Sequence, residues 1–237
     1  MIAWGLIPAR GGSKSIPYKN LVPLGGRPMI DWGILAAQAS TALSRIVCST
    51  EDDRIAQHVA GLGVEVDRRP THLAQDESAV ADVAKDFLER AKAAGPLPDL
   101  LVLIQPTSPL LQPEHVRGLI ALFAQHPEAA SAHNLARAPH NHHLWNTRFL
   151  AGEKIEFPFR EERLRAYNKQ KKPGAYFFGN LIAARSDAIL AGEGFFAEPV
   201  FGIEIPRPYD LDVDGPEDLV IAEALLGSPG AAVRHAS

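Results

Sequence analysis

Leu100-Leu101-Val102-Leu103-Ile104 is a run of aliphatic residues with no polar position to alternate against. A strand with one face in water would show a polar residue at every second place. The run therefore predicts a strand buried on both faces, as in a mostly parallel sheet covered by helices. Outward from it, Ile2-Ala3-Trp4-Gly5-Leu6-Ile7 is a second short apolar run, closed by the glycine-rich loop Pro8-Ala9-Arg10-Gly11-Gly12-Ser13-Lys14. Arg45-Ile46-Val47-Cys48-Ser49-Thr50 reads as another strand, followed by an acidic helix start at Glu51-Asp52-Asp53, and Val64-Glu65-Val66 as a third. Between them, residues 28–40 place Met29, Trp32, Leu35 and Ala36 on one helical face, and residues 78–94 do the same with Val80, Val83, Phe87 and Ala91. Strand and helix alternating at this spacing predict a wound α/β sheet. Ligands of such sheets bind beyond the carboxyl ends of the strands, so the segments after Ile7, Thr50 and Ile104 are expected to line one cleft.

Of the 237 residues, 46% are hydrophobic and 22% charged, an ordinary globular composition that argues against disorder. Cys48 is the one cysteine, which excludes an internal disulfide framework and a four-cysteine zinc site, and fits a reducing cytoplasm. A net charge of −4 lacks the electrostatic footprint of a nucleic-acid binder. No stretch approaches the roughly 18 consecutive apolar residues of a spanning helix, and no basic region precedes an apolar run at the N-terminus. The expectation is a cytoplasmic protein with neither membrane nor nucleic acid as partner. Residues 1–237 read as a single domain. Within it, residues 133–173 hold four of the nine histidines and many cations and leave the sheet as an inserted arm. The sheet resumes near Ala175-Tyr176-Phe177-Phe178, residues 214–226 look like a final helix, and residues 228–237 like a frayed tail.

Adjacent glycines let backbone N–H groups approach phosphate oxygens, and Arg10 and Lys14 add positive charge. Neither G-x-x-x-x-G-K-[ST] nor G-x-G-x-x-G can be laid on the loop, which excludes a Walker A site and weighs against a dinucleotide enzyme. The bland alternative is a tight turn with two solvated charges. In Asp212-Val213-Asp214, residues i and i+2 of an extended segment share a face, so the two carboxylates converge as hard oxygen donors suited to Mg²⁺. The ordinary alternative is an acidic end before a helix, with Asp214 as N-cap and Pro216 in the first turn. His140, His142 and His143 have no nearby cysteine and no carboxylate at helical spacing, so zinc is disfavoured.

The longer string Ala9-Arg10-Gly11-Gly12-Ser13-Lys14-Ser15-Ile16-Pro17-Tyr18-Lys19-Asn20-Leu21 resembles the signature of sugar-activating cytidylyltransferases, the N-acylneuraminate and 3-deoxy-manno-octulosonate enzymes. The resemblance continues, in the family's order, through Ser49-Thr50-Glu51-Asp52, Arg69-Pro70 with Leu73-Ala74 and Asp76, Gln105-Pro106-Thr107-Ser108-Pro109-Leu110, and Asp212-Val213-Asp214. It implies a Rossmann-like sheet of the nucleotide-diphospho-sugar transferase type with a dimerisation arm. It further implies Arg10 and Lys19 on the triphosphate with Ala9 and the Gly11-Gly12-Ser13 backbone, Asn20 on base or ribose, and Arg69 adding charge. Gln105 would sit between nucleotide and sugar, and Asp212 and Asp214 would hold Mg²⁺. The implied partners are CTP, an acidic sugar and a second copy of the chain.

Three positions depart from that pattern. Ser15 stands where relatives carry glycine, Leu111 where many carry arginine, and Asn141 where sialic-acid enzymes carry a lysine. Asn141, Arg163 and Arg165 are the substrate-side candidates, and the activated acid need not be N-acetylneuraminate. Two other readings stand beside the sugar cytidylyltransferase: CTP-dependent transfer to a non-sugar acid such as a phosphonate, and nucleotide binding without transfer.

Overall fold

The computed structural model describes residues 1–166 and 168–227; the expected frayed tail at residues 228–237 lies outside the described residues. In chain order the elements are β1 (Ala3–Pro8), a hairpin of β2 (Pro23–Leu24) and β3 (Arg27–Pro28), α1 (Met29–Ser40), β4 (Arg45–Thr50), α2 (Asp53–Gly61) and β5 (Glu65–Arg68). They continue with α3 (Val80–Ala94), β6 (Leu100–Ile104), α4 (Pro113–Gln125), β7 (Ser131–Arg137), β8 (Phe149–Ala151), β9 (Lys154–Glu156) and α5 (Arg160–Arg165). The last are β10 (Tyr176–Arg185), α6 (Ser186–Ala191), β11 (Val200–Ile205) and α7 (Pro216–Leu226).

The central sheet has the strand order β11-β7-β10-β6-β1-β4-β5. Its neighbours pair in parallel except where β10 runs antiparallel to β6 and β7. The all-aliphatic run is β6, and both of its faces are sealed. Leu100, Val102 and Ile104 pack with Ile30 and Ile34 of α1 and Val116 and Leu119 of α4. Leu101 and Leu103 turn to the other face, against Ala84, Phe87 and Leu88 of α3 and Ile189 of α6. Helices cover both sides, so no position of β6 could be polar without losing its partners to burial. In α1 it is Ile34 that is fully buried, while Leu35 is only partly so.

A third, smaller cluster joins Ile16, Leu24, Met29, Trp32, Val213 and Ala222. It ties the hairpin to α1 and α7 and buries Val213 between its two aspartates. Helix α7 starts at Pro216 with Gly215 as its N-cap, so the capping role considered for Asp214 is not taken up. Asp218 Oδ2 instead accepts the backbone N–H groups of Asp214 and Gly215, each at 2.9 Å.

The excursion from the sheet begins after Arg137 rather than at His133, because residues 133–137 still pair within the sheet as part of β7. It carries the β8–β9 hairpin and α5, and leaves Phe149, Leu150, Ile155, Phe157 and Leu164 exposed. Among the described residues no helix is long and apolar enough to cross a membrane.

Candidate active site

A cleft of about 400 Å³ opens at the carboxyl ends of β1, β5 and β6, lined by the glycine loop, the segment joining β5 to α3, and the stretch that precedes α7. Among the candidate residues, Arg10, Gly12, Ser13, Lys19, Asn20, Arg69, Gln105, Asp212 and Asp214 all face it. Asp76 and Thr107 join them.

The loop's path follows from what the chain can bond. Ala9, fully buried, makes the last rung of the sheet through its N–H to the Ser49 carbonyl at 3.0 Å, and so lies behind the loop. A Cβ on Gly11 would run into the carboxylate of Asp52, so only glycine allows this close approach. The Gly11 N–H donates to Glu51 Oε1 at 2.8 Å, and the other oxygen of Glu51 accepts Nε and Nη2 of Arg69 at 3.1 and 3.0 Å. Asn20 Nδ2 donates to the Arg10 carbonyl at 2.9 Å and holds the loop from below.

Each cation at the mouth also faces a carboxylate. Arg10 Nη1 lies 2.7 Å from Asp76 Oδ1, and Lys14 Nζ lies 2.6 Å from Asp76 Oδ2. The bonds from Lys14 and Arg10 hold the Asp76 carboxyl below its ordinary range. Lys19 Nζ sits 3.2 Å from Asp214 Oδ1. Clustered cations need anions nearby, and here the chain supplies its own where phosphate oxygens could take their place.

Asp212 is different. Its Oδ1 is buried and has no hydrogen-bond partner among the described residues. Burial pushes its carboxyl above the usual carboxylate range; a hydrogen bond from Thr107 and the charge of Lys19 pull it back, while Asp214 and Asp218 push it further up. A buried acceptor left without a donor is costly, and a cation in the cleft would relieve it. Two hard carboxylates suit a divalent ion such as Mg²⁺. Among the described residues no third histidine, cysteine or acid completes a metal cluster, so phosphate oxygens and water would have to fill the shell.

One expectation is corrected. The segment after Thr50 lines a separate cavity with Gly11, Gly12 and Tyr18, because Asp52 caps α2 and turns the chain behind the loop. Asn141, Arg163 and Arg165 do not line the cleft. Asn141 is exposed on a turn after β7, and Arg165 pairs with Glu161 at 3.0 Å within α5. A second cavity of about 480 Å³ at the root of the arm is lined instead by Arg137, His140, His143, Lys172 and Arg207. Sequence reasoning missed Arg137 and Arg207, which lie far apart along the chain and meet only because β7 and β11 are paired. Leu111 is buried in the core and Cys48 is a buried free thiol pushed up to about 12, so neither takes part in the cleft.

A wound α/β sheet with a glycine loop and clustered cations at its strand ends is the architecture of nucleotide-binding α/β proteins. The chain belongs to the cytidylyltransferase family, whose model matches residues 4–182. It is 36% identical over 120 residues to N-acylneuraminate cytidylyltransferase A of Danio rerio, covering 51% of this chain and 27% of that protein. It is 27% identical over 217 residues to N-acylneuraminate cytidylyltransferase of Streptococcus agalactiae serotype V, covering 91% of this chain and 51% of that protein. The chain thus spans about half or less of these two relatives. With CMP-N,N'-diacetyllegionaminic acid synthase of Legionella pneumophila it shares 28% identity over 224 residues, and the match covers 93% of this chain and 94% of that one. Among solved structures, a CMP:2-keto-3-deoxy-manno-octonic acid synthetase complexed with CTP superposes with a TM-score of 0.70 at 17% identity, over 95% of this chain and 98% of the other. At that identity the likeness speaks for the fold.

Proposed function

We propose that this chain transfers the cytidylyl group of CTP to an acidic 2-keto-3-deoxy sugar, giving a CMP-sugar and pyrophosphate. The observation that carries this reading is the orphaned oxygen of Asp212, set in one cleft with Arg10, Lys19 and the glycine loop. The names of the Streptococcus and Legionella relatives support the base and the class of acid. Arg10, Lys19 and the N–H groups of the loop take the triphosphate, displacing Asp76 and Asp214 from the cations. Gln105 lies between the nucleotide and the acceptor. The anomeric hydroxyl forms a bond to the α-phosphorus as the bond to the β-phosphate oxygen breaks; pyrophosphate leaves with that electron pair and the hydroxyl proton passes to solvent. The protein's part is positioning and charge neutralisation, with no covalent intermediate.

Cytidylyltransferases as a family use a divalent metal. Mg²⁺ held by Asp212 and Asp214 would supply charge neutralisation at the phosphates. Asp212→Ala and Asp214→Ala are each expected to abolish turnover while the melting temperature stays near wild type; near-normal activity in both would overturn the assignment. The exposed apolar residues of the arm are the surface a second copy of the chain would cover, and a doubled mass in light scattering checks it. The second reading, transfer to a different small acid, is favoured by one observation: Asn141, Arg163 and Arg165 stay out of the cleft, while Arg137, Lys172 and Arg207 gather at the root of the arm.

A further inference from the structure

Between the end of β11 at Ile205 and the start of α7 at Pro216 the chain belongs to neither sheet nor helix, yet it carries both aspartates of the cleft. Something else must hold it. On the side after Asp212, the Val213 N–H donates to the Thr107 carbonyl at 2.8 Å and its side chain is buried. On the side before, the fixing point is a buried pair of asparagines on β7 and β10. Asn134 stands opposite Gly179, Asn180 and Leu181, where the pairing of the two strands shifts between Phe178 and Ile182. Its Oδ1 accepts the N–H groups of Asn180 and Leu181, both at 2.8 Å, and so satisfies the donors the bulge leaves without a ladder partner. A Cβ on Gly179 would lie 2.6 Å from that oxygen, so glycine is required there. Asn134 Nδ2 donates to Asn180 Oδ1, and Asn180 Nδ2 donates in turn to the Tyr209 carbonyl, each at 2.5 Å. The Tyr209 ring rests edge-on against His115 of α4, 5.3 Å between centroids.

We infer that Asn180, oriented by Asn134, is a positioning residue for Asp212: it pins the carbonyl of Tyr209 so that the Asp212 carboxylate is held in the cleft before metal and nucleotide arrive. Both asparagines are fully buried, and neither lines the cleft. A buried polar network with every member bonded fixes one arrangement of the segments it joins, which is what a two-carboxylate site on an otherwise irregular stretch needs. The glycine loop is held by separate bonds to Ser49, Glu51 and Asn20. Loosening the pin should therefore affect the metal and spare the loop.

The test is Asn180→Ala in the full chain, with Mn²⁺ as the probe. Expected is a loss of ten-fold or more in Mn²⁺ affinity in the presence of CTP, read by electron paramagnetic resonance. The Mg²⁺ concentration for half-maximal pyrophosphate release should rise in parallel. CTP affinity measured in chelator should stay within about two-fold. Leu88→Ala, which opens the core on the far face, controls for general loosening: it should lower the melting temperature without moving the metal dependence. Unchanged Mn²⁺ affinity in Asn180→Ala overturns the inference. If that variant does not fold, Asn180→Ser is read by the same criterion. The inference rests on Asp212 as a metal-binding side chain, and the two can fail separately. Mn²⁺ binding that survives Asp212→Ala removes the assignment itself, whereas binding lost in Asp212→Ala but kept in Asn180→Ala removes only the pin.

Discussion

Asp76 is the residue whose place in the cleft the motifs announce least. It falls inside a stretch that resembles the family signature, yet a carboxylate in a loop reads as a solvated charge. Only the fold shows it bridging Arg10 and Lys14 at 2.7 and 2.6 Å. A triphosphate bound by those cations must displace it, and its own charge repels the incoming anion. Asp76→Asn is therefore expected to tighten CTP binding about three- to ten-fold by calorimetry, in keeping with the modest worth of exposed ion pairs. Weaker binding would mean that Asp76 works with the nucleotide rather than against it. Arg10, Lys19, Asp212 and Asp214 were legible because each sits in a short string whose residue types have a chemical reason to be adjacent. Arg137 and Arg207 were not, since no local pattern connects a strand end to a turn seventy residues downstream.

Among the elements, β6 and the helices around it follow from periodicity, whereas boundaries depend on partners elsewhere in the chain. Strand β5 runs on to Arg68 past the predicted end at Val66, because the buried carboxylate of Asp67 is met by the Ser49 hydroxyl at 2.8 Å and by Arg90 of α3. That the long strand β10 is antiparallel within an otherwise parallel sheet has no signature in its residues; it follows from the chain returning out of the arm. Helix α4 has a pH sensitivity of its own. His115 Nδ1 accepts the Gln112 N–H at 3.3 Å, and burial lowers its pKa to about 4, partly offset by Glu114. Between the usual value of about 6.5 and that value the unfolded chain takes up a proton and the folded chain does not, so stability falls as pH falls through this window. Urea melts at pH 7 and 4.5 should show His115→Gln losing less stability on acidification than wild type, by about 2 kcal/mol. Equal losses would mean that His115 titrates alike in the folded and unfolded states.

At the scale of the molecule, the sheet delivers a loop, a carboxylate pair and a basic cavity at the root of the arm to one end, and α7 with the third apolar cluster closes that end. The proposed nucleotide half could be read from the sequence, because its candidate residues lie in short contiguous strings. The proposed acceptor half could not, because its candidate residues come from the end of β7, the arm and the turn after β11, and meet only through tertiary pairing. The most direct measurement is pyrophosphate release from the purified chain with CTP and Mg²⁺ across a panel of 2-keto-3-deoxy sugar acids, with ATP, GTP and UTP as controls. The account predicts release that requires CTP and one acid of the panel together, with a CMP-acid product of matching mass. CTP bound but silent with every sugar acid, and turned over with a phosphonate or another small acid, would contradict it.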